Sequence, residues 1–373
     1  MTAAWLRIPL LALAAAAPHH GAERFAMSYF YDKDDSHLAL VDFKFPSAKR
    51  GVAAGAVIDK GKAPRPVLLS TSDAGKKWEI VPLKEFPQSL FFLNDSLGWM
   101  VTQGGIWRTL EGGRDWQKLK SIKDVNRVHF LDDNRGFAIA GMKTVHTTID
   151  GGKTWAKLDA AAKIESTKEF TSFNLIDFVG NFGLIAGVSL RPRPFDDSEF
   201  DWMYPERATR RRETPHLSIL LETRDGGKTW TNSAASVFGI ATGLTLAPWG
   251  GLALFEYKDS FQYPSEVLAI DLLTGRSTSV YHDKKVAVTD VIWGGRETAV
   301  VAGYEPIGAY VRAPVPGKVH FEISTGLSIW TKIETDYRAI ARRVRLARAP
   351  DGQVWAATDT GMILKLERTV QTN

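Results

Sequence analysis

An octapeptide recurs four times along the chain, and this repetition constrains the fold more than any other feature. The pattern Thr-x-Asp-x-Gly-x-x-Trp fits residues 71–78, 109–116, 148–155 and 223–230, with Glu111 replacing Asp in the second copy. The four Trp residues are 38, 39 and 75 positions apart. Self-similarity at a period of about 40 residues indicates a repeat architecture.

The residues that precede each octapeptide repeat as well. Residues 125–158 contain an apolar triplet, a polar turn, a short strand pattern, a second turn and a strand that runs into the octapeptide, and residues 40–81 and 88–119 have the same order. Each unit therefore supplies four short alternating strands bounded by turn residues. Four strands at this period are typical of a β-propeller blade.

Weaker copies follow the fourth octapeptide. Residues 238–281, 286–333 and 343–367 repeat the strand pattern without an intact octapeptide, and the last of them lacks a fourth strand. Residues 24–32 form a strand pattern ahead of the first repeat, and we expect this strand to pair with the last repeat and close the ring, which removes exposed sheet edges. The sequence predicts an all-β fold, a seven-bladed β-propeller of four-stranded antiparallel blades with the octapeptide as the hairpin between strands three and four.

The double spacing between the third and fourth octapeptides marks an insertion. The fourth repeat begins at residues 173–190 and resumes at 216–230, so residues 191–215 have been added to it. Long connections without secondary structure are usually functional or disordered. The insertion lies between strands two and three, which places it on the face opposite the octapeptides.

The octapeptide residues are explained by the folding of one hairpin. The Asp side chains can accept hydrogen bonds from the backbone of their own turn, the Gly residues allow positive φ, and the Trp side chains can pack between blades. A cation site is the alternative use of these carboxylates. We predict the structural role for Asp73, Trp78, Glu111, Trp116, Asp150, Trp155, Asp225 and Trp230.

This motif resembles the Asp-box, or BNR repeat, of sialidases, glycoside-hydrolase propellers, sortilin-type receptors and the photosystem II stability/assembly-factor-like family. The resemblance covers roughly residues 38–370. Repeat number, motif pattern, chain size and N-terminus make the chain most similar to the assembly-factor-like family, whose members are extracytoplasmic scaffolds for membrane-protein assembly. The resemblance implies a non-catalytic exported scaffold that binds a protein partner, such as a membrane-protein assembly intermediate, through the loop face opposite the octapeptides.

A carbohydrate-active propeller is the alternative, either a glycoside hydrolase, a sialidase-like enzyme or a glycan-binding module. The Arg-Ile-Pro motif of sialidases occurs only at residues 7–9, inside the N-terminal apolar segment. The early acidic residues Asp32, Asp34 and Asp35 match no sialidase motif, and neither do the candidate nucleophiles Tyr263, Tyr304 and Tyr310. We therefore favour binding over catalysis, and a glycoside hydrolase if the protein is an enzyme.

Composition excludes several kinds of site. The chain has no Cys and eight scattered His among its 373 residues, which rules out disulfides and Cys-ligated metals and leaves no His pair at ligand spacing. We predict no metal site and no cofactor. The net charge of +5 favours contact with anionic surfaces, but nucleic acid is not an expected partner.

The N-terminus predicts export. Residues 1–22 contain one basic residue, a short apolar run and small residues suited to cleavage, as in a signal peptide. No later stretch is long and apolar enough for a transmembrane helix. We expect residues 23–373 to form a single propeller domain in the periplasm or outside the cell.

The loop face opposite the octapeptides is the predicted binding surface. The insertion and the connections near residues 256–265 and 304–318 combine basic and aromatic side chains, the types enriched at binding hot spots. Such a surface suits an acidic protein segment or a glycan that stacks on aromatic rings. The predicted partner-binding residues are Arg193, Phe200, Trp202, Tyr204, Arg207, Arg210, Arg211, Arg212, Tyr257, Tyr263, Tyr304, Tyr310 and Arg312.

Overall fold

The structure is a computed structural model that describes residues 23–119, 122, 124–191, 203–259, 261–306 and 315–368. The predicted signal peptide, residues 1–22, lies outside the described residues. Strand β1 (Glu23–Phe30) comes first in the described chain.

Five antiparallel sheets of four strands follow β1 along the chain. The first sheet contains β2 (Ser36–Lys44), β3 (Gly51–Asp59), β4 (Arg65–Thr71) and β5 (Glu79–Pro82). The second contains β6 (Pro87–Phe92), β7 (Gly98–Thr102), β8 (Gly105–Thr109) and β9 (Gln117–Lys118). The third contains β10 (Val125–Phe130), β11 (Gly136–Ala140), β12 (Thr144–Thr148) and β13 (Ala156–Lys157). The fourth contains β14 (Thr171–Val179), β15 (Phe182–Ser189), β16 (His216–Thr223) and β17 (Thr231–Val237). The fifth contains β18 (Ile240–Ala247), β19 (Gly250–Glu256), β20 (Ser265–Ile270) and β21 (Ser277–His282).

The remaining strands form one nine-stranded sheet together with β1. They are β22 (Ala287–Gly295), β23 (Thr298–Glu305), β24 (Gly317–Thr325), β25 (Ile329–Thr335), β26 (Ile340–Ala341), β27 (Val344–Arg348), β28 (Val354–Thr358) and β29 (Met362–Arg368). The described helical segments are short: α1 (Asp159–Ala162), a 3-10 turn at Lys168–Phe170 and α2 (Pro205–Arg210).

The all-β propeller is confirmed, but the prediction of seven blades is wrong. The described chain forms five four-stranded blades and one nine-stranded sheet. The cause is β1, which is hydrogen-bonded along both edges. It pairs antiparallel with β29, as expected for ring closure, and also parallel with β25 at Arg24–Glu334 and Phe25–Thr335. This second pairing joins the last strands into a single sheet.

The first strand of each repeat lies on the inside of the ring. Successive inner strands β2, β6, β10, β14, β18, β22 and β27 pack against one another, and β27 packs against β2. Because consecutive antiparallel strands alternate in direction, the turns between first and second strands share one end of the molecule with the four octapeptide turns. We call this end the octapeptide face. The opposite end, with the connections between second and third strands, is the loop face.

Aromatic side chains fill several seams between neighbouring sheets. Trp99 stacks on Phe130 with ring centroids 3.6 Å apart, and Phe45 stacks on Trp355 at 4.3 Å. Phe25 of β1 is fully buried and lies 3.9 Å from the ring of Phe321. Burial of each such ring removes a large apolar area from water, so these contacts fix the inner strands around a central channel.

Candidate functional site

Three aspartates link neighbouring inner strands by the same hydrogen bonds. One carboxylate oxygen of each accepts from a backbone N–H on the next inner strand, and the pairs are Asp42–Leu90 at 2.7 Å, Asp177–Leu246 at 2.7 Å and Asp290–Leu346 at 2.8 Å. The other oxygen accepts from the N–H of the following residue in its own strand. Both oxygens of each carboxylate therefore serve to hold two inner strands in register.

Burial shifts the pKa of Asp177 and that of its neighbour His129, and both shifts favour the neutral form. Burial raises the pKa of Asp177 to about 6, against the lowering effect of the two backbone N–H groups. His129 lies 3.8 Å from Asp177 and between the rings of Phe91 and Phe178. Burial lowers the pKa of His129 to about 3. The imidazole is therefore neutral near pH 7, and its contact with Asp177 is not an ion pair.

Asp42 makes the same link in a more cationic environment. Burial acts to raise its pKa, but the charges of Lys44 and Arg127 and the hydrogen bonds from Lys44 and the Leu90 N–H outweigh it, so the pKa lies below its usual value. The Lys44 ammonium lies 2.8 Å from the carboxylate. Asp42 therefore stays ionised where Asp177 is half-protonated near pH 6.

The inner strands enclose a cavity of about 600 Å³, which we call the axial cavity. Its charged lining comes from five inner strands and consists of Asp42, Lys44, Arg127, His129, Asp177, Asp290, Arg345 and Arg348. Trp249 and Trp293 line the end nearest the octapeptide face, with ring centroids 6.0 Å apart. The cavity thus combines cations, carboxylates and aromatic rings, a mixture suited to binding a polar ligand.

The four octapeptide turns have a common set of hydrogen bonds. In the third copy, the Thr148 hydroxyl accepts from the N–H of Gly152 at 3.0 Å and donates to Asp150, which also accepts from the N–H of Thr154 at 2.9 Å. The Trp155 indole N–H donates to the carbonyl of Gly152. In all four copies a glycine N–H donates to the threonine hydroxyl, and the donors are Gly75, Gly113, Gly152 and Gly227. These groups bond within their own turn, as a structural role requires.

The first and second copies depart from this set in different ways. The Trp78 indole donates to the hydroxyl of Ser28 on β1, and that hydroxyl donates to the carbonyl of Gly75. A serine from the N-terminal strand is thus inserted into the first turn. The second copy has Glu111 in place of the aspartate, and within the described residues its carboxylate makes none of the turn hydrogen bonds of Asp150. The Glu111 backbone N–H donates to Thr109, as the corresponding N–H does in the other copies, and the Trp116 indole keeps its bond to Gly113.

The aspartates of the third and fourth turns have lowered pKa values. The hydroxyl and backbone N–H of Thr154 lower the pKa of Asp150 to about 2, and those of Thr229 lower the pKa of Asp225 to about 2. The hydrogen bonds stabilise the ionised carboxylate. For Asp73 the pKa is shifted in the same direction, chiefly by the N–H of Lys77.

Part of the predicted binding surface is visible on the loop face. Tyr204 is 51% exposed, and the guanidinium of Arg207 lies 5.5 Å from the centre of its ring. Both belong to the segment around α2, whose side chains at Arg210 and Arg212 are exposed, while Arg211 is half-buried, with its Nε 3.8 Å from Asp259. The structure brings these residues together at the end of the insertion. Arg193, Phe200, Trp202, Tyr310 and Arg312 lie outside the described residues.

The other predicted tyrosines are mostly buried. Tyr257 is 6% exposed, donates a hydrogen bond to Glu266 at 2.8 Å and stacks on Phe261. Tyr304 is 8% exposed. Tyr263 is half-buried and stacks on His282 at 4.4 Å. Tyr257 and Tyr304 therefore support the loop face from below rather than presenting their rings on its surface.

Sequence reasoning missed the axial cavity. A signal was present, because Asp42, Asp177 and Asp290 occupy matching places in the first strands of three repeats, within the triplets Val-Asp-Phe, Ile-Asp-Phe and Thr-Asp-Val. An aspartate inside an apolar strand pattern is unusual, since a buried carboxylate needs hydrogen-bond partners.

Two other features are absent from the described ranges, a metal-binding cluster and a membrane-spanning helix. No group of three or more His, Asp or Glu side chains is arranged to hold a metal ion there. Over the same residues, none of the helices has the length and apolarity needed to cross a membrane.

The fold and cavity define the class of protein: a β-propeller whose sheets surround a polar axial cavity. Its sequence is similar to the photosystem II assembly lipoprotein Ycf48 of Prochlorococcus marinus. The two are 26% identical over 304 residues, which cover 74% of this chain and 80% of that protein. The resemblance to the assembly-factor-like family is thus confirmed as homology to Ycf48. Comparison with models of known protein families gives no match.

Solved structures of Ycf48 share the fold. A structure described as YCF48 bound to D1 peptide superposes with a TM-score of 0.58 and 14% identity, covering 92% of this chain and 98% of that one. YCF48 from Cyanidioschyzon merolae gives a TM-score of 0.57 and 13% identity, covering 93% and 98%. At these identities the likeness shows the fold alone.

Proposed function

We propose that this protein is an assembly-factor-like scaffold that binds a protein partner and performs no reaction on it. The observation that carries the proposal is the sequence similarity to Ycf48 over 304 residues, together with the description of a Ycf48 structure as bound to a D1 peptide. Binding of a protein segment is therefore a property that this fold and a homologous sequence support.

We place the partner on the loop face, at the end of the insertion. Met203 and Tyr204 are 50% and 51% exposed there, Arg207 contacts the Tyr204 ring, and the exposed side chains of Arg210 and Arg212 follow in the same segment. Exposed aromatic and arginine groups next to one another are the typical composition of a binding hot spot. An acidic segment with apolar side chains is the partner that this chemistry favours.

We further propose that the protein works after export, in the periplasm or outside the cell. The support is the N-terminal sequence, in which a basic residue and a short apolar run precede small residues. An extracytoplasmic partner then has to be sought in the envelope or secreted fractions.

The test is capture of the partner from those fractions by the full chain, followed by a binding measurement with the purified partner. The informative variant combines Tyr204→Ala with Arg207→Ala. We expect at least about ten-fold weaker binding, since removal of a hot-spot pair costs more than about 1.4 kcal/mol. These substitutions are preferable to deleting residues 195–213, because the buried Glu213 accepts a hydrogen bond from the backbone N–H of Asp259 at 2.6 Å.

The matched control makes an equivalent change on the octapeptide face. Ile149 is 79% exposed and Lys153 is also exposed, so Ile149→Ala with Lys153→Ala removes one apolar and one cationic group there. Affinity should be unchanged in this control. Loss of binding in the control alone would show that the partner binds the octapeptide face instead. N-terminal sequencing of the recovered protein tests export, and an intact residue 1 would refute it.

A further inference from the structure

Two arginines point their charge into the axial cavity without a partner from the protein. Arg127 of β10 and Arg345 of β27 both line the cavity and are half-buried. Within the part of the chain that the structure describes, neither guanidinium group makes a hydrogen bond or an ion pair. Lys44, by contrast, forms an ion pair with Asp42.

Among the described residues, the carboxylates of the cavity form no hydrogen bond or ion pair with these two arginines. Asp42 and Asp290 are close enough to influence Arg127 electrostatically, but their oxygens accept the backbone N–H groups that join the inner strands. Burial lowers the pKa of Arg127, Asp42 partly offsets this effect, and the neighbouring charge of Arg345 adds to it. Two cations that repel each other in a partly desolvated cavity are costly to the fold unless an anion joins them.

The charge balance of the cavity indicates the kind of anion. Its lining has four permanent cations, Lys44, Arg127, Arg345 and Arg348, and three carboxylates, Asp42, Asp177 and Asp290. His129 is neutral near pH 7 because its pKa is about 3. One positive charge is left over, which matches a single carboxylate. A phosphate group carries close to two negative charges at this pH and would meet three fixed carboxylates.

We propose that the axial cavity is a carboxylate-binding site, in which the guanidinium groups of Arg127 and Arg345 hold the carboxylate of a small acid or of an acidic peptide side chain. Guanidinium groups present planar pairs of donors that fit the two oxygens of a carboxylate. The cavity volume of about 600 Å³ lies within the range of small-molecule sites. The site is distinct from the loop face and does not depend on a protein partner binding there.

The experiment is isothermal titration calorimetry of the full mature chain with defined probes. Butyrate represents a small acid with one carboxylate, and the blocked tripeptide acetyl-Gly-Glu-Gly-amide represents a peptide carboxylate, with acetyl-Gly-Gln-Gly-amide as its uncharged counterpart. We expect one or both acids to bind and the Gln peptide to fail. Whichever acid binds identifies the source of the carboxylate. Binding of phosphate as tight as that of the acids would contradict the charge argument.

The variants Arg127→Gln and Arg345→Gln test the two arginines. Each should weaken binding of the acid at least about ten-fold, the value of a charge-assisted hydrogen bond pair. Arg296→Gln is the matched control, since Arg296 is an exposed arginine in the turn between β22 and β23. Unchanged affinity in both cavity variants, or no acid binding by the wild-type chain, would overturn the proposal.

Stability measurements keep the proposal testable if one variant folds poorly. An unliganded cation pair destabilises the fold, so Arg127→Gln and Arg345→Gln should leave the thermal midpoint unchanged or raise it, and should abolish the rise that the acid causes in the wild-type chain. A large fall in the midpoint of both variants would show a structural role and count against a binding site. The Tyr204→Ala and Arg207→Ala chain should bind the acid normally, which separates this proposal from the one on the loop face.

Discussion

At the scale of single residues, the same hydrogen-bond pattern gives aspartates of different acidity. Asp42, Asp177 and Asp290 each link two inner strands through backbone N–H groups. Burial raises the pKa of Asp177 and of Asp290, whereas Lys44 and Arg127 hold that of Asp42 below its usual value. Neighbouring charge, not the hydrogen bond, therefore decides the protonation state.

Asp177 should make stability fall as pH rises. Its folded-state pKa of about 6 exceeds the unfolded value of about 3.9, so the folded state holds the proton more tightly. Its contribution is fully present below about pH 4 and is lost between about pH 4 and 6, by about 2–3 kcal/mol. Urea unfolding of wild type and Asp177→Asn across this range should show a gap in unfolding free energy that narrows as pH rises.

Asp150→Asn is the control with the opposite sign. The folded-state pKa of Asp150 is about 2, below its unfolded value, so its stabilisation is present above about pH 4 and is lost as pH falls towards 2. Its gap from wild type should be constant between pH 4 and 7. A constant gap for Asp177→Asn over the same range would show that burial does not protonate Asp177.

At the scale of single elements, the four octapeptide hairpins share a backbone conformation with two positive φ angles, and the first copy has the residue least suited to it. The two turn positions have positive φ in every copy, and they are Gly in the second, third and fourth copies. In the first copy Ala74 has a φ of +60°. A side chain in this left-handed region costs about 1–2 kcal/mol, so the first hairpin is strained by one methyl group.

Ala74→Gly should therefore stabilise the protein. We expect an increase in unfolding free energy of about 0.5–1 kcal/mol, because relief of the left-handed strain exceeds the added flexibility of the unfolded chain. Chemical denaturation measures this difference. Ala156→Gly, in the exposed strand that follows the third octapeptide, should instead destabilise the fold. Destabilisation by Ala74→Gly would show that the turn is not strained.

At the scale of the whole molecule, β1 is the strand that holds the two ends of the chain together. It continues the last repeat through β29, pairs with β25 on its other edge and supplies Ser28 to the first octapeptide turn. Phe25 is its buried anchor, stacked on Phe321. The ring thus depends on contacts between residues more than 300 positions apart in the sequence.

Phe25→Ala should destabilise the whole ring. Truncation of a fully buried Phe costs about 3–5 kcal/mol, and the loss should appear in a single cooperative unfolding transition if β1 is part of the closed ring. Met27→Ala on the same strand is the control, since Met27 is 37% exposed, and its cost should be below about 1.5 kcal/mol. Equal effects of the two substitutions would show that β1 is only loosely attached.

The repeat, the four-strand unit, the insertion and the pairing of the N-terminal strand with the last repeat could all be predicted from the sequence. These follow from local patterns, because alternation and turn residues act within one hairpin. The burial of Tyr257 and Tyr304 was not predictable from their place in long connections, since burial depends on how those connections fold back over the sheets.

Two features follow only from the folded ring. The parallel contact of β1 with β25 involves only two residue pairs, and it joins strands more than 300 positions apart, so no local pattern in either strand predicts it. The axial cavity takes its charged side chains from five different repeats. Residues so far apart in sequence become one site only when the ring closes, because closure brings all the inner strands around a common axis.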